Sequence, residues 1–443
     1  MVTSDLGEFS ADERLIFWII VSTWGAWLLG AVYVIAPVLG WWLAARILME
    51  RVRGGGSTVP SSAAAASLSW LWLISMTTMC FVLIAGHLNF GLGVVTMAKS
   101  LIGVAKGWAL FGLFMFIGMY GRIRPEVIFR ATNVLALQTL VLAPLFYIAP
   151  SVGMPETLYT SPLDMVLGGG YADFVRVGLF FREGTEGVVR WKFFAPWAPG
   201  AALVACLSIG MAFYDKSVFW RSVGIGANLI VCVMSQSRLS YVTVPLLLVA
   251  VIVAPRLRDP RVYFAAAVIG MLIIINGDAI LAQIEETRSA FNSARAQSSR
   301  IRASLQSIAL HRWWDEAPIF GHGTVEAGSH LTEFMAIGTH HSWNGLLFTR
   351  GIAGLLCMLV PMTATLLIVM RKANTVVAAR SGLCALLVLL MYSFGDNLDI
   401  LAYLCWPTFV LIGVAVASRV PARRQISATR VPVFAPAMPM PAV

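Results

Sequence analysis

The chain has 443 residues, of which 58% are hydrophobic and only 12% are charged, and its mean hydropathy is +0.79. This composition excludes a soluble globular domain of this length and predicts a membrane protein with many spans. A net charge of +10 would suggest nucleic acid as the partner of a soluble protein, but in a membrane protein basic residues mark cytoplasmic loops. We therefore expect no nucleic-acid binding.

Eleven apolar runs are long enough to cross a bilayer, since a span needs about 20 residues. They lie near residues 15–48, 62–86, 101–120, 132–150, 199–214, 222–237, 240–254, 262–281, 345–370, 375–395 and 400–418. The first run is long for one helix and contains Pro37, so a tight hairpin, which gives twelve spans, is the alternative. We predict an all-α polytopic membrane protein with 11–12 transmembrane helices, in which residues 1–418 form a single transmembrane domain.

Clusters of basic residues fall on alternate loops between these runs. Six loops carry them, at Arg51/Arg53, Arg122/Arg124/Arg130, Lys216/Arg221, Arg256/Arg258/Arg261, Arg371/Lys372 and Arg419/Arg423/Arg424. The positive-inside rule places these loops in the cytoplasm. The tail 419–443 is rich in Pro, Ala and Arg and is predicted to be a disordered cytoplasmic end.

Two long loops remain on the opposite, extracytoplasmic face, at 151–198 and 282–344. The first interleaves aromatic and basic residues, among them Arg190 and Trp191. Aromatic faces suit sugar rings, and the flanking cations suit phosphate or acidic sugars, so Arg190 and Trp191 are candidate substrate contacts. The alternative is an aromatic belt at the membrane interface.

Arg238 lies between two apolar runs at the extracytoplasmic boundary of the membrane. A charge in that position is costly unless it is paired or used. A functional role is favoured over the alternative, a side chain that only extends to the interface.

The second long loop is predicted to be helical over residues 285–312. Arg288, Arg295 and Arg302 are spaced by seven residues there, which places them on one helical face with Arg300 nearby. Guanidinium groups bind phosphate oxygens in pairs and neutralise a leaving-group charge, so this face is a candidate pyrophosphate clamp. A solvated face, or contact with anionic lipid head groups, is the alternative.

The same loop ends in His340 and His341, followed by Trp343 and the next apolar run. Histidine accepts a proton near neutral pH, so one of the pair is a candidate general base for a sugar hydroxyl, with Trp343 beside the substrate. A hydrogen-bonded structural histidine is the alternative.

A zinc site is a third interpretation of this loop, because His322 and His330 also belong to it, as do Glu326 and Glu333. Imidazole and carboxylate are common ligands of zinc. However, the histidine spacing matches no short ligand motif. We expect neither a metal nor a cofactor.

Taken together, these motifs resemble the O-antigen ligase and polysaccharide polymerase superfamily over residues 170–395. Family members typically show a Ser-Arg pair before an apolar helix, a basic helical stretch, a Pro-x-x-Gly-x-Gly segment, and a His followed about ten residues later by Gly. Here these are Ser237-Arg238, the helix with Arg288 to Arg302, residues 318–323, and His340 with Gly351. Val242 replaces a leucine of the family, and His341 stands where Asn is frequent.

The resemblance implies a GT-C-like fold with a large helical periplasmic loop, in the cell inner membrane. It implies a metal-independent, inverting glycosyltransferase whose donor is an undecaprenyl-pyrophosphate-linked oligosaccharide. His340 would then be the base, with His341 as the other candidate, while Arg238 and Arg302 hold the pyrophosphate. The implied partners are this donor, a glycan or lipid A core as acceptor, membrane lipids and other polysaccharide-assembly proteins.

Within the superfamily we favour a polymerase of an exopolysaccharide, capsule or O-antigen over an O-antigen ligase. A transporter or flippase of lipid-linked glycans is the alternative from another class; it predicts ionisable residues near the middle of several spans and a repeat between halves, and the sequence has few of the first and no clear sign of the second. A purely structural membrane subunit would not explain histidines and arginines gathered on one side.

Overall fold

The computed structural model describes residues 6–53, 62–166, 172–183, 187–278, 281–283, 285–286, 296–332, 334–338 and 340–420. The helices are α1 (Ala11–Val21), α2 (Thr23–Leu28), α3 (Val32–Val52), α4 (Ala63–Asn89), α5 (Val94–Lys106), α6 (Trp108–Tyr120), α7 (Pro125–Ile148), α8 (Leu163–Val166), α9 (Ala172–Val175), α10 (Ala198–Ala212), α11 (Val218–Ser235), α12 (Arg238–Val253), α13 (Pro260–Ile275), α14 (Ala296–Glu316), α15 (Ser342–Ala373), α16 (Val377–Ser393) and α17 (Leu398–Ala417).

Most of the described chain is therefore helical, and much of the helical part is long and apolar. Eight described segments have the length and composition to cross a membrane, with α5 and α6 counted as one segment; α10, α13 and α16 are shorter apolar helices. The prediction of an all-α polytopic membrane protein is confirmed.

The first apolar run, 15–48, is folded as a hairpin. Ser10 caps α1, because its hydroxyl accepts from the backbone N–H of Glu13 at 3.2 Å and its own N–H donates to the Glu13 carboxylate at 2.9 Å. Asp12 at the start of α1 forms an ion pair with Arg46 near the end of α3, which shows that the two arms are antiparallel. The hairpin alternative, rather than one long span, is the arrangement in the structure.

Helix α17 lies at the centre of the bundle and packs along α6. The two helices meet at Gly118 and Gly413, where a Cβ would lie 2.0 Å from the carbonyl oxygen of Val410 and 2.1 Å from that of Met115, respectively. Small residues allow such close approach of two backbones within a membrane. The central position of α17 fixes the turn that precedes it, residues 394–397, at the end of the bundle that we call the site end.

The basic loops meet at the other end of the bundle. Arg124 pairs with Glu13 at 2.7 Å, Arg258 donates to the carbonyl oxygen of Arg371 at 3.3 Å, and Lys372 donates to that of Ser418 at 2.9 Å. Loops that alternate in sequence thus share one end, which we call the basic end. Most of the predicted tail, 421–443, lies outside the described residues.

The first long loop contains short strands, which the all-α prediction did not include. Strand β1 (Thr157–Thr160) pairs antiparallel with β2 (Arg176–Gly178), and β3 (Phe181–Glu183) pairs with β4 (Val188–Arg190). These pairs end on Arg190, which brings that side chain to the turn between α11 and α12. The loop therefore supports the site end of the bundle.

Candidate active site

Residues 318–323 lie against a break in α15. The helix is interrupted at Gly351, whose φ is 62° and ψ is −167°, so backbone groups near the break lose their helical partners. The segment 318–323 replaces these partners through four backbone hydrogen bonds, which run from His322 to Phe348 at 2.9 Å, from Gly323 to Thr349 at 3.0 Å, from Ile352 to Pro318 at 3.0 Å and from Ala353 to Ile319 at 3.1 Å. We call this arrangement the backbone interlock.

Glycine is required on both sides of the interlock. A Cβ on Gly351 would lie 2.3 Å from the carbonyl oxygen of Ile319, and a Cβ on Gly321 would lie 2.3 Å from the backbone nitrogen of Arg350. Both glycines also have positive φ, which side chains disfavour. The Pro-x-x-Gly-x-Gly segment and the later Gly351 therefore form one structural device.

His322 anchors α14 beside the interlock. Its imidazole is buried and stacks on Phe348 with centroids 4.2 Å apart. One ring nitrogen lies 3.0 Å from the Phe348 carbonyl oxygen and the other lies 2.9 Å from the carboxylate of Glu316. A hydrogen bond from Arg312, and then one from His322, lower the pKa of Glu316 to about 2, so that this carboxylate remains an acceptor over the physiological range.

The zinc alternative gains no geometric support. Both ring nitrogens of His322 are engaged as just described, and His330 lies in a separate short helix, His330–Thr332. Across the residues that the structure describes, no three His, Cys, Asp or Glu side chains are grouped as metal ligands.

His340 occupies a strained position at the site end. Its φ is 64°, in the left-handed region that few residues other than glycine adopt. Burial, and then the positive charge of Arg302, lower the pKa of His340 to about 4. The imidazole is therefore neutral at physiological pH and has a lone pair with which to accept a proton.

His341 has a different environment, although it is adjacent in sequence. It caps α15, since its Nδ1 accepts a hydrogen bond from the backbone N–H of Asn344 at 3.2 Å. Its ring also packs edge-on against Phe394, with centroids 5.7 Å apart. Burial lowers the pKa of His341. The Nδ1 lone pair is thus committed to the helix cap.

Asp396 joins this group from the turn before α17. Its carboxylate is 3% exposed and accepts hydrogen bonds from Trp197 Nε1 at 3.0 Å and from the backbone N–H of Asn397 at 2.9 Å. Burial raises the pKa of Asp396 to about 6, although these bonds and the charge of Arg302 oppose the rise. Because the charge of Arg302 acts on both Asp396 and His340, we call these three residues the charged cluster.

Asp396 is not among the site residues predicted from the sequence. The signal that was available was its position in an acidic turn between two apolar runs, with Asn397 and Asp399. The same turn is bound to the start of α15, because the Ser342 hydroxyl donates to the carbonyl oxygen of Asp396 at 2.7 Å. This contact holds the turn next to the two histidines.

Arg238 is the first residue of α12 and is half-buried. The turn before it is tight, with Gln236 in the left-handed conformation at φ 48°. The guanidinium of Arg190 donates to the carbonyl oxygen of Ser235 in this turn at 3.1 Å and pairs with Glu183 at 2.6 Å. Arg190 is therefore placed where it braces the turn that presents Arg238.

The remaining candidates lie in varied surroundings. Trp343 donates to the hydroxyl of Ser393 at 2.8 Å and so ties α15 to α16. Trp191 donates to the carbonyl oxygen of Phe146 at 2.6 Å, at the end of α7. Arg300 is exposed on α14. Arg288 and Arg295 lie outside the described residues. Of the three arginines predicted to share a helical face, the structure therefore describes only Arg302.

Residues 223–359 match the family model described as O-Antigen ligase, and no curated protein matches the chain significantly. The matched segment runs from α11 into α15 and includes Arg238, Arg302 and His340. The match confirms the resemblance seen in the motifs over these residues, and it supports a function of the general ligase and polymerase type in a membrane protein with many helices.

The backbone interlock predicts that Gly351→Ala disrupts the site end. The added Cβ would collide with the Ile319 carbonyl in a backbone conformation reserved for glycine, so we expect a loss of about 1–3 kcal/mol in the free energy of unfolding. Thermal unfolding of the purified protein measures this loss. Gly226→Ala is the matched control, because a Cβ there meets nothing within 4 Å; equal melting temperatures for the two variants would contradict the interlock.

The buried carboxyl of Asp396 predicts a pH-dependent stability. The pKa of Asp396 in the folded protein, about 6, exceeds its value in the unfolded chain. The protonated carboxyl therefore contributes its full stability below the unfolded pKa, and this contribution is lost as pH rises through about 6. The free energy of unfolding of Asp396→Asn, minus that of wild type, should therefore increase as pH rises from 4 to 7. The total increase should be at most roughly 3 kcal/mol. Melting temperatures of both proteins across this range test the prediction; a constant difference would show that Asp396 does not titrate there.

Proposed function

We propose that this protein, whose residues 223–359 form an O-antigen ligase domain, is a polymerase of an exopolysaccharide, capsule or O-antigen. It transfers an undecaprenyl-pyrophosphate-linked glycan to a sugar hydroxyl, with inversion, at the periplasmic face of the cell inner membrane. The observation that carries the proposal is the charged cluster, in which a neutral, strained His340 lies under the influence of Arg302 within the family segment.

In the proposed reaction His340 accepts the proton of the acceptor hydroxyl. The hydroxyl oxygen forms a bond to the anomeric carbon of the donor as the bond from that carbon to the pyrophosphate oxygen breaks. The bonding electron pair leaves with the pyrophosphate, whose charge is stabilised by Arg238 and Arg302. Pyrophosphate is a good leaving group, so the step is proposed to need no general acid and no metal.

Arg302 would also set the basicity of His340. In the free protein its charge contributes to the low pKa of the imidazole, which keeps His340 unprotonated but makes it a weak base. A bound pyrophosphate would neutralise Arg302 and raise the pKa of His340 toward the ordinary value, where a general base is more effective. The donor would thereby activate the base.

The environments of the two histidines support His340 as the base. His341 uses Nδ1 to accept the cap hydrogen bond from Asn344, so the neutral ring carries its hydrogen on Nε2 and has no second lone pair to offer. Protonation of Nδ1 would remove the cap from α15. We therefore assign proton removal to His340 and a positioning role to His341.

Other candidate residues fit supporting roles. Arg190, buried against the turn before Arg238, is proposed to position that guanidinium. Arg300, with Arg288 and Arg295 from outside the described residues, remains a proposed contact of the pyrophosphate or of lipid head groups. Trp191 and Trp343 donate to protein acceptors, so any substrate contact would involve their ring faces.

An O-antigen ligase that transfers the glycan to lipid A core is the second candidate, because the matched family model carries that description. The reacting groups would be the same, and only the acceptor would differ. Glycan profiles of a deletion strain separate the two: single repeat units on lipid A core indicate a lost polymerase, and long unattached chains indicate a lost ligase.

The proposal predicts that His340→Ala lowers the transfer rate by about 10²–10⁴-fold, the usual contribution of a general base, and that Arg238→Ala abolishes polymer formation. His330→Ala should be tolerated, because that residue lies in a separate short helix. Complementation of a deletion strain, followed by gel analysis of the polymer, measures these effects, with membrane insertion checked by immunoblot. Full activity of the double variant His340→Ala/His341→Ala without added metal would refute the proposed base.

The pH profile of kcat/KM provides a separate test of the link between Arg302 and His340. Activity requires the neutral imidazole, so it should rise with pH through the pKa of the free protein, which is about 4. Arg302→Gln removes a charge that lowers this pKa, and its acidic limb should therefore shift to higher pH. If the acidic limb of the pH profile has the same midpoint in wild type and Arg302→Gln, Arg302 does not influence the pKa of His340.

A further inference from the structure

A cavity of about 320 Å³ lies beside the charged cluster at the site end. Its walls include the end of α5, the start of α17, the first turns of α15, and residues 324–325 and 336–338. Gly338 and Ser342, two residues on either side of His340, belong to its lining. The cavity is therefore lined by residues on both sides of the proposed base in sequence, while His340, Arg238 and Arg302 do not themselves belong to the lining.

Two cationic side chains line the cavity. Lys106 ends α5, where the segment breaks at Gly107 before α6 begins, and its Nζ lies 5.2 Å from the centroid of the Tyr33 ring. Arg350 lies one residue before the break in α15 and is 9% exposed. Against these two positive charges the lining contains one carboxylate, that of Asp399.

Arg350 has an unmet hydrogen-bonding requirement. Its Nη1 donates to the carbonyl oxygens of Gly323 and Thr349. Its Nε is buried and has no hydrogen-bond partner among the residues that the structure describes. A buried donor on a permanently charged group is costly when it is left unpaired, so a shift of the Arg350 side chain toward an oxyanion in the cavity would relieve that cost.

The rest of the lining suits a sugar ring. Tyr33, Trp108 and Phe174 contribute aromatic side chains to the lining, and Asn397 contributes an amide that can bond to a hydroxyl. A volume of this size is at the lower end of the range for small-ligand sites. One sugar ring with a charged substituent matches both the size and the chemistry.

We infer that this cavity is an acceptor subsite for a sugar that carries an anionic group, held by Lys106 and Arg350. The inference rests on the proposed function, since it identifies the substrate class of the same site. The shared chemistry is an oxyanion, which is either the carboxylate of an acidic sugar or a phosphate attached to the acceptor. The sugar occupies the cavity and presents a hydroxyl to His340.

Saturation-transfer NMR on the purified full-length protein tests the inference, with methyl glucuronide, glucose 6-phosphate and neutral methyl glucoside as probes. We expect binding of a charged probe and about tenfold weaker binding of the neutral one, which lacks a charge-assisted hydrogen bond. Displacement by undecaprenyl pyrophosphate in both wild type and Arg238→Ala would assign the oxyanion to a lipid-linked phosphate. Failure of that displacement, with methyl glucuronide bound, would assign it to an acidic sugar.

Lys106→Gln should weaken binding of the charged probes about tenfold and leave the neutral probe unchanged. Lys99→Gln is the matched control, because Lys99 lies two turns earlier on α5 and is exposed. Arg350→Lys, which keeps the charge but loses the Nε donor, is a second variant if its fold is retained. Equal binding of all three probes, or unchanged binding in Lys106→Gln, would overturn the inference.

His340→Ala separates this inference from the proposed function. We expect that variant to bind the charged probes like wild type while its transfer rate falls by about 10²–10⁴-fold. Transfer by His340→Ala at the wild-type rate, with normal probe binding, would refute the proposed base and leave the cavity site in place. If Lys106→Gln forms normal polymer and binds the charged probes normally, the cavity site is refuted and the proposed base is unaffected.

Discussion

The interruption of α15 at Gly351 is the constraint on which the site end depends. A helix that breaks within an apolar environment must find new partners for its freed backbone groups, because an unpaired group there is costly. Residues 318–323 supply those partners. The position of α14 follows, because this helix ends two residues before the segment and His322 ties it to α15. The interlock thus sets Arg302 relative to His340.

The charged cluster shows how burial and charge are balanced once the helices are in place. Burial alone would favour neutral Asp396 and neutral His340. The positive charge of Arg302 has opposite effects on the ionisation of the two groups. It favours the negatively charged carboxylate of Asp396 and disfavours the positively charged imidazolium of His340. The result is a neutral imidazole under the influence of a fixed cation, which is the arrangement that the proposed transfer from a pyrophosphate-linked donor would use.

The cavity near the charged cluster lies between two helix breaks, one in α15 at Gly351 and one between α5 and α6 at Gly107. The break between α5 and α6 places Gly107 against Asp399 at the start of α17, and Lys106 beside this break and Arg350 beside the break in α15 both line the cavity. In a membrane such irregular backbone is tolerated where it is covered by protein or lines a polar cavity. The proposed donor and acceptor sites would then lie on two sides of His340.

The amino-acid sequence determined the class of the protein and the segments in which its candidate residues lie. Runs of apolar residues and the pattern of basic loops are local properties, so they were sufficient to predict the helical membrane fold. The boundary position of Arg238, the helical spacing of Arg302 and the family resemblance, which favours His340 over His341, made these three residues candidates. Tertiary structure decided the hairpin in residues 15–48, since only a contact between distant residues separates it from one long helix.

Tertiary structure also decided which neighbours each candidate has. The difference between His340 and His341 comes from a helix cap and a positive φ, and the unusual state of Asp396 comes from burial against Trp197, which is distant in sequence. Burial and electrostatic interaction arise when separate segments pack together. For that reason the sequence showed Asp396 only as part of an acidic turn between two apolar runs, and no spacing of residue types indicated its burial or the cavity between Lys106 and Arg350.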